Sequence, residues 1–212
     1  MVRLDEAMTR TRQEQGRPDP GPGERGEQVL LLRGINVGGI KLPMAELARI
    51  LQEAGFAAVR TVLATGNAIL TSELDPPATG RRAEQAIDAQ FGHRIRCLAY
   101  PGPGFAALAT GFPVQPPHGN YHRYLSFTPS PAAAGALAAA LEEQLACRGL
   151  RAAEPFAVHG PALGWVAERG TSTSDPLAQA LQRLGPTHLH TTRNLNTVQR
   201  IARILRAPEH DA

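Results

Sequence analysis

Hydrophobic positions recur along this chain in two alternating rhythms. Residues 29–35 are a short, largely apolar run and predict a central strand. The period then lengthens: Met44, Leu47, Ile50 and Leu51 share one face of a helix over residues 43–54. Pro43 suits its first turn and Gly55 the position just past its end. Residues 59–63 and 68–71 predict two strands joined by a hairpin at Thr65, Gly66 and Asn67. Asp75, Pro76 and Pro77 read as a break, residues 81–91 as a helix and residues 95–100 as a strand. The resulting order, β-α-β-β-α-β, is that of the split βαβ or ferredoxin-like unit.

The pattern then repeats. Residues 101–120, rich in proline and glycine, predict a connector with one short helix near residues 105–109. Residues 121–127 predict a strand and residues 131–146 a helix. Residues 156–159 and 163–167 flank a hairpin at His159, Gly160 and Pro161. A helix over residues 176–184 follows Asp175 as its N-cap. Residues 188–191 predict a short strand, and residues 194–206 a final helix with Leu195, Val198, Ile201, Ala202 and Leu205 on its apolar face. The expected fold class is α+β: two tandem ferredoxin-like units, at 27–100 and 121–212, the second with an extra C-terminal helix. Residues 1–26, polar and Pro/Gly-rich, predict a disordered tail, because they cannot bury enough apolar surface to offset their ordering entropy.

Charge narrows the partners only slightly. A formal charge of +3 permits an anionic partner but is weaker than large nucleic-acid surfaces usually carry. No stretch reaches the roughly 18 apolar residues of a membrane span, and the N-terminus lacks a signal-peptide core. The expectation is a cytoplasmic protein with no membrane partner. Cys97 and Cys147 lie far apart without metal spacing and read as buried or half-buried thiols.

Lysine usage is more informative. Lys41 is the only lysine, although Lys and Arg together number 22, so arginine serves wherever either cation will do. Lysine is a compact point charge on a flexible stem and guanidinium a planar fork, which makes a retained lysine notable. It sits in the chain's most unusual stretch, Arg33-Gly34-Ile35-Asn36-Val37-Gly38-Gly39-Ile40-Lys41-Leu42-Pro43. That stretch is neither a Walker A loop nor a dinucleotide fingerprint. It combines a strand end, a loop with available backbone N–H groups, a lysine and a helix N-terminus, parts that can hold an anion. The same residues also suit a plain turn with Lys41 solvated.

Together with Thr65-Gly66-Asn67 and Thr191-Thr192-Arg193-Asn194-Leu195-Asn196-Thr197-Val198, this stretch resembles an uncharacterised bacterial family catalogued as domain of unknown function 1697. The resemblance runs over roughly residues 28–206 and implies an α+β fold of ferredoxin-like units, without an activity. This chain has Leu195 where the family usually has tryptophan, and Ala64-Thr65 where it usually has Gln-Ser.

In the ferredoxin-like strand order, the loop after the first strand and the hairpin between the second and third emerge at one sheet end. Asn36 and Asn67 are therefore expected close together, near Arg33 and Lys41. A turn role for Asn67 fits equally. Arg193 and Asn194 fall where a strand passes into a helix capped by Thr192 or Asn194. Arg193 there suits an external carboxylate or phosphate, or an internal acid. The candidate ligand residues are thus Arg33, Gly34, Asn36, Gly38, Gly39, Lys41, Asn67, Arg193 and Asn194.

His188 and His190 share one side of the expected strand but lack a third ligand at metal spacing. No nucleophile and general base stand together, so neither catalysis nor a cofactor is assigned. Three functions remain: binding of a small anionic or nucleotide-like ligand, which is favoured; nucleic-acid binding on a sheet face; and protein interaction through a basic helix bearing Arg200, Arg203 and Arg206. Against the second, the strands over residues 29–35 and 68–71 carry no aromatic platform.

Overall fold

The computed structural model describes residues 26–35, 41–150, 155–171 and 174–207. Residues 1–25 of the expected tail lie outside these. The first half runs β1 (Gly26–Leu32), α1 (Met44–Glu53), β2 (Ala57–Thr61), β3 (Asn67–Ser72), α2 (Pro76–Phe91) and β4 (Cys97–Pro101). Helix α3 (Gly102–Leu108) follows directly. The second half runs β5 (Tyr121–Phe127), α4 (Pro131–Ala146), β6 (Phe156–His159), β7 (Ala162–Glu168), α5 (Pro176–Leu184), β8 (Thr191–Asn194) and α6 (Leu195–Arg206). The strands form two four-stranded antiparallel sheets, ordered β2-β3-β1-β4 and β6-β7-β5-β8. The fold is mixed α+β, and among the described residues no helix is long and apolar enough to cross a membrane.

Strand alternation explains how the layers stack. Successive side chains point to opposite sheet faces, and β1 is apolar on both. Leu30 and Leu32 join Ala68, Leu70 and the buried faces of α1 and α2 in an outer core. Val29 and Leu31 join Ile69, Leu98 and Tyr100 in a middle core. The second sheet adds Leu125, Phe127 and Ala162 to that middle core, and α3 and α6 fill it with Phe105, Leu195, Val198 and Ile201. Its other face packs Leu163 and Trp165 against α4 and α5. Phe105 stacks on Phe127 with ring centroids 5.3 Å apart, and the Tyr100 hydroxyl donates to Thr128 O at 2.7 Å.

Several boundaries differ from the sequence expectation, each for a local reason. Strand β1 stops at Leu32 rather than 35, because Gly34 adopts a left-handed φ of 73° that turns the chain out of the sheet. The apparent break at Asp75-Pro76-Pro77 is the start of α2, five residues early. The Asp75 carboxylate accepts from Ala78 N at 2.7 Å, and the prolines occupy positions that need no intrahelical N–H. Strand β8 begins at Thr191, not at 188, since His188 N is drawn back to Leu184 O at 2.8 Å. Cys97 is buried, and burial pushes its thiol up, whereas Cys147 is exposed rather than buried or half-buried.

Helix α3 lies in the stretch read as a connector, yet it supplies a fully buried phenylalanine to the core shared by both sheets. Phe105→Ala should therefore lower unfolding free energy by about 3–5 kcal/mol, measured by urea denaturation followed by tryptophan fluorescence. A loss below about 1 kcal/mol would show that α3 only decorates the surface.

Candidate functional site

At the end of β1 the chain is held from both sides. Leu32 N donates to Gly66 O at 2.8 Å, and Arg33 N donates to Arg96 O at 2.8 Å. The β2–β3 hairpin tip and the residue before β4 thus flank the point where β1 leaves the sheet; the expected approach of Asn36 to Asn67 lies outside the described residues. Gly66 has φ 73°, and a Cβ there would fall 2.8 Å from two side-chain carbons of Ile35. Only glycine lets the hairpin close this tightly.

Asn67 is fully buried and its amide is engaged at both ends. Its Nδ2 donates to Val62 O at 2.9 Å and Thr65 Oγ1 at 3.0 Å, and its Oδ1 accepts from Arg193 Nε at 2.6 Å. Arg193 reaches across from β8 and is only 7% exposed. Its Nη1 donates to Thr191 Oγ1 (2.8 Å) and Thr192 O (2.9 Å), and its Nη2 to Leu32 O (2.7 Å) and Gly66 O (3.1 Å). All five guanidinium donors are used. Burial lowers its pKa to about 10, so the group remains a cation at neutral pH. The sequence suggested a carboxylate, a phosphate or an internal acid for Arg193. It meets instead backbone carbonyls, a hydroxyl and an amide, which corrects that expectation.

Two more candidates have structural tasks. Asn194 caps α6, its side-chain oxygen accepting from Asn196 N at 2.9 Å, and Leu195 behind it is core. Arg33 is half-buried and donates Nη1 to Gly185 O at 2.7 Å, just beyond α5. A cation is favourable at that helix end. Gly185 leaves the space: a Cβ there would lie 2.0 Å from Arg33 Nη2. Burial, and then the nearby Arg96 charge, hold the Arg33 guanidinium below its usual range. Among the described residues no acid forms an ion pair with Arg33, Arg193 or Lys41.

Gly34 and Lys41 are both exposed. Lys41 stands just before α1, whose N-cap Pro43 offers no side-chain hydrogen bond. Asn36, Gly38 and Gly39 lie outside the described residues. His190 is buried with Nδ1 2.8 Å from His188 O; burial chiefly, and then Arg33 and His188, hold its pKa low against the opposing pull of that bond. Among the described residues no group of three or more His, Cys, Asp or Glu gathers to hold a metal. The sequence reading missed Arg96, Gly185 and Thr191 as neighbours of this corner. Two of them act partly through backbone carbonyls, which leave no side-chain signature to read.

The family described as Protein of unknown function (DUF1697) matches residues 26–155, and the chain belongs to it. The match ends before the Arg193 motif. In fold the chain is similar to the conserved bacterial protein SP0830 from Streptococcus pneumoniae, with a TM-score of 0.67 and 22% identity. That similarity covers 86% of this chain and 100% of the other. At this identity the likeness concerns the fold alone. No curated protein matches the chain.

Two outcomes follow from this geometry. Arg193→Met leaves Asn67 Oδ1 without its buried donor, while Gly66 O keeps Leu32 N and Leu32 O keeps Thr191 Oγ1 at 3.3 Å, and should destabilise the protein by about 1–3 kcal/mol. Urea titration reads this directly, and a loss under about 1 kcal/mol would show that the cluster contributes little. His190 has a folded pKa below its ordinary value near 6.5, so the unfolded chain binds the proton more readily. Stability should therefore fall as pH drops below about 6.5, by up to about 1.4 kcal/mol per unit from this group. His190→Gln should flatten that slope between pH 6.5 and 5, and an unchanged slope would assign the acid sensitivity elsewhere.

Proposed function

We propose that this member of the DUF1697 family binds a small anionic or nucleotide-like ligand at the corner formed by Arg33, Gly34 and Lys41. The ligand would lie before the N-terminus of α1, with Asn36, Gly38 and Gly39 of the intervening loop as further contacts. Asn67, Arg193 and Asn194 enter this reading as the support beneath the site, because their polar atoms already have internal partners. We also read the two halves as tandem ferredoxin-like units, a view supported by their shared strand order.

The observation that carries the reading is uncompensated positive charge. Arg193 is buried, Arg33 half-buried and Lys41 exposed, and among the described residues none of them has an acidic partner. Cations held out of water without counter-charge attract an anion more strongly than the same groups in solvent. The first sheet also favours this reading over base stacking on a sheet face, since helices or the other half cover both of its faces.

Lys41 offers the cleanest test. A cation before a helix N-terminus gains nothing from the dipole, so Lys41→Met should leave stability level or slightly higher. Binding of an anion that co-purifies with the protein, identified by native mass spectrometry, should weaken by about 1.5–3 kcal/mol. A stability loss above about 1 kcal/mol with unchanged binding would place Lys41 in an internal ion pair and end the reading.

A further inference from the structure

Arg33 and Arg96 stand side by side at the mouth of the seam between the two halves. Their backbones are joined by the Arg33 N to Arg96 O bond, and burial first, then the Arg96 charge, disfavours the Arg33 cation. Arg33 spends Nη1 on Gly185 O, while Nε and Nη2 have no hydrogen-bond partner among the described residues. Arg96 spends Nε on Glu84 Oε1 at 3.0 Å, and that carboxylate oxygen also accepts from Cys97 N at 2.8 Å. Both Arg96 Nη groups are left over, on a side chain 47% exposed to solvent. His190 of the second half lies within reach of the Arg33 charge and brings no negative charge.

The two guanidinium groups, with Glu84 paired to Arg96 alone, carry a net positive charge and N–H donors to spare. A single carboxylate ligand would satisfy only part of that set. A phosphoryl group has three strong acceptor oxygens and close to two negative charges at neutral pH, and arginine forks match its geometry. We propose that Arg33 and Arg96 together clasp a phosphoryl dianion at the seam, which names the ligand class of the anion corner. This rests on the anion-binding reading and adds Arg96 as a contact that reading does not include. Because Arg33 also holds Gly185 of the second half, the bound phosphoryl group would lie against both halves.

The probe is pyrophosphate, titrated calorimetrically into the full chain, with oxalate, a smaller dianion, as the carboxylate control. Binding of pyrophosphate at least tenfold tighter than oxalate is expected, with Arg96→Gln weakening pyrophosphate about 10- to 100-fold and leaving oxalate little changed. Arg96→Gln keeps the Glu84 bond to Cys97 N, so its fold should survive; Arg33→Gln should give a similar loss, with thermal melting to confirm folding. If Lys41→Met weakens pyrophosphate and Arg96→Gln does not, the anion corner stands and the arginine clasp is overturned. Equal binding of oxalate and pyrophosphate overturns the phosphoryl class alone. No binding of either anion overturns both readings.

Discussion

A desolvated guanidinium needs a partner for every N–H, and Arg193 finds its partners in both halves of the chain. That requirement positions much else. Gly66 must approach closely enough to present its carbonyl, Asn67 must turn its amide oxygen toward β8, and β1 must end where Leu32 O remains available. A lysine could not substitute, since three donors on a point cannot span five acceptor directions set by a planar fork. The cluster contains no carboxylate, so its stability comes from saturated hydrogen bonding rather than from pairing opposite charges.

Much of the fold was legible from periodicity and capping. Strand β5, helix α4, strand β6 and helix α5 fall where the sequence places them, each marked by a β-rich run, an alternation or a Ser/Asp-Pro start. Errors gathered where one residue type carries two meanings. Asp75-Pro76-Pro77 reads as a break and serves as a helix start, because proline is disruptive inside a helix and favourable at its first turn. The stretch at 188–191 alternates like a strand, but its first residues are tied back to the end of α5.

The candidate site was legible as a place more than as a set of roles. Topology alone brought the β2–β3 hairpin to the end of β1, and the Leu32–Gly66 bond lies there. What the sequence could not convey is that Asn67 and Arg193, 126 residues apart, saturate each other. An asparagine in a turn and an arginine before a helix each have sufficient local explanations, and nothing in either segment points to the other. The lone lysine retains its significance by contrast: beside neighbours with internal partners, Lys41 is exposed.

The apolar character of both faces of the first sheet has a consequence for how the molecule can be divided. Val29, Leu31, Ile69 and Tyr100 are covered by α3, α6 and the second sheet. A fragment ending after β4 would present these side chains to water as one continuous greasy surface, prone to self-association. The halves repeat a strand order, yet they share one core between them. Their folding should couple into one cooperative transition, and tolerance to insertion should be confined to the loops at the sheet ends.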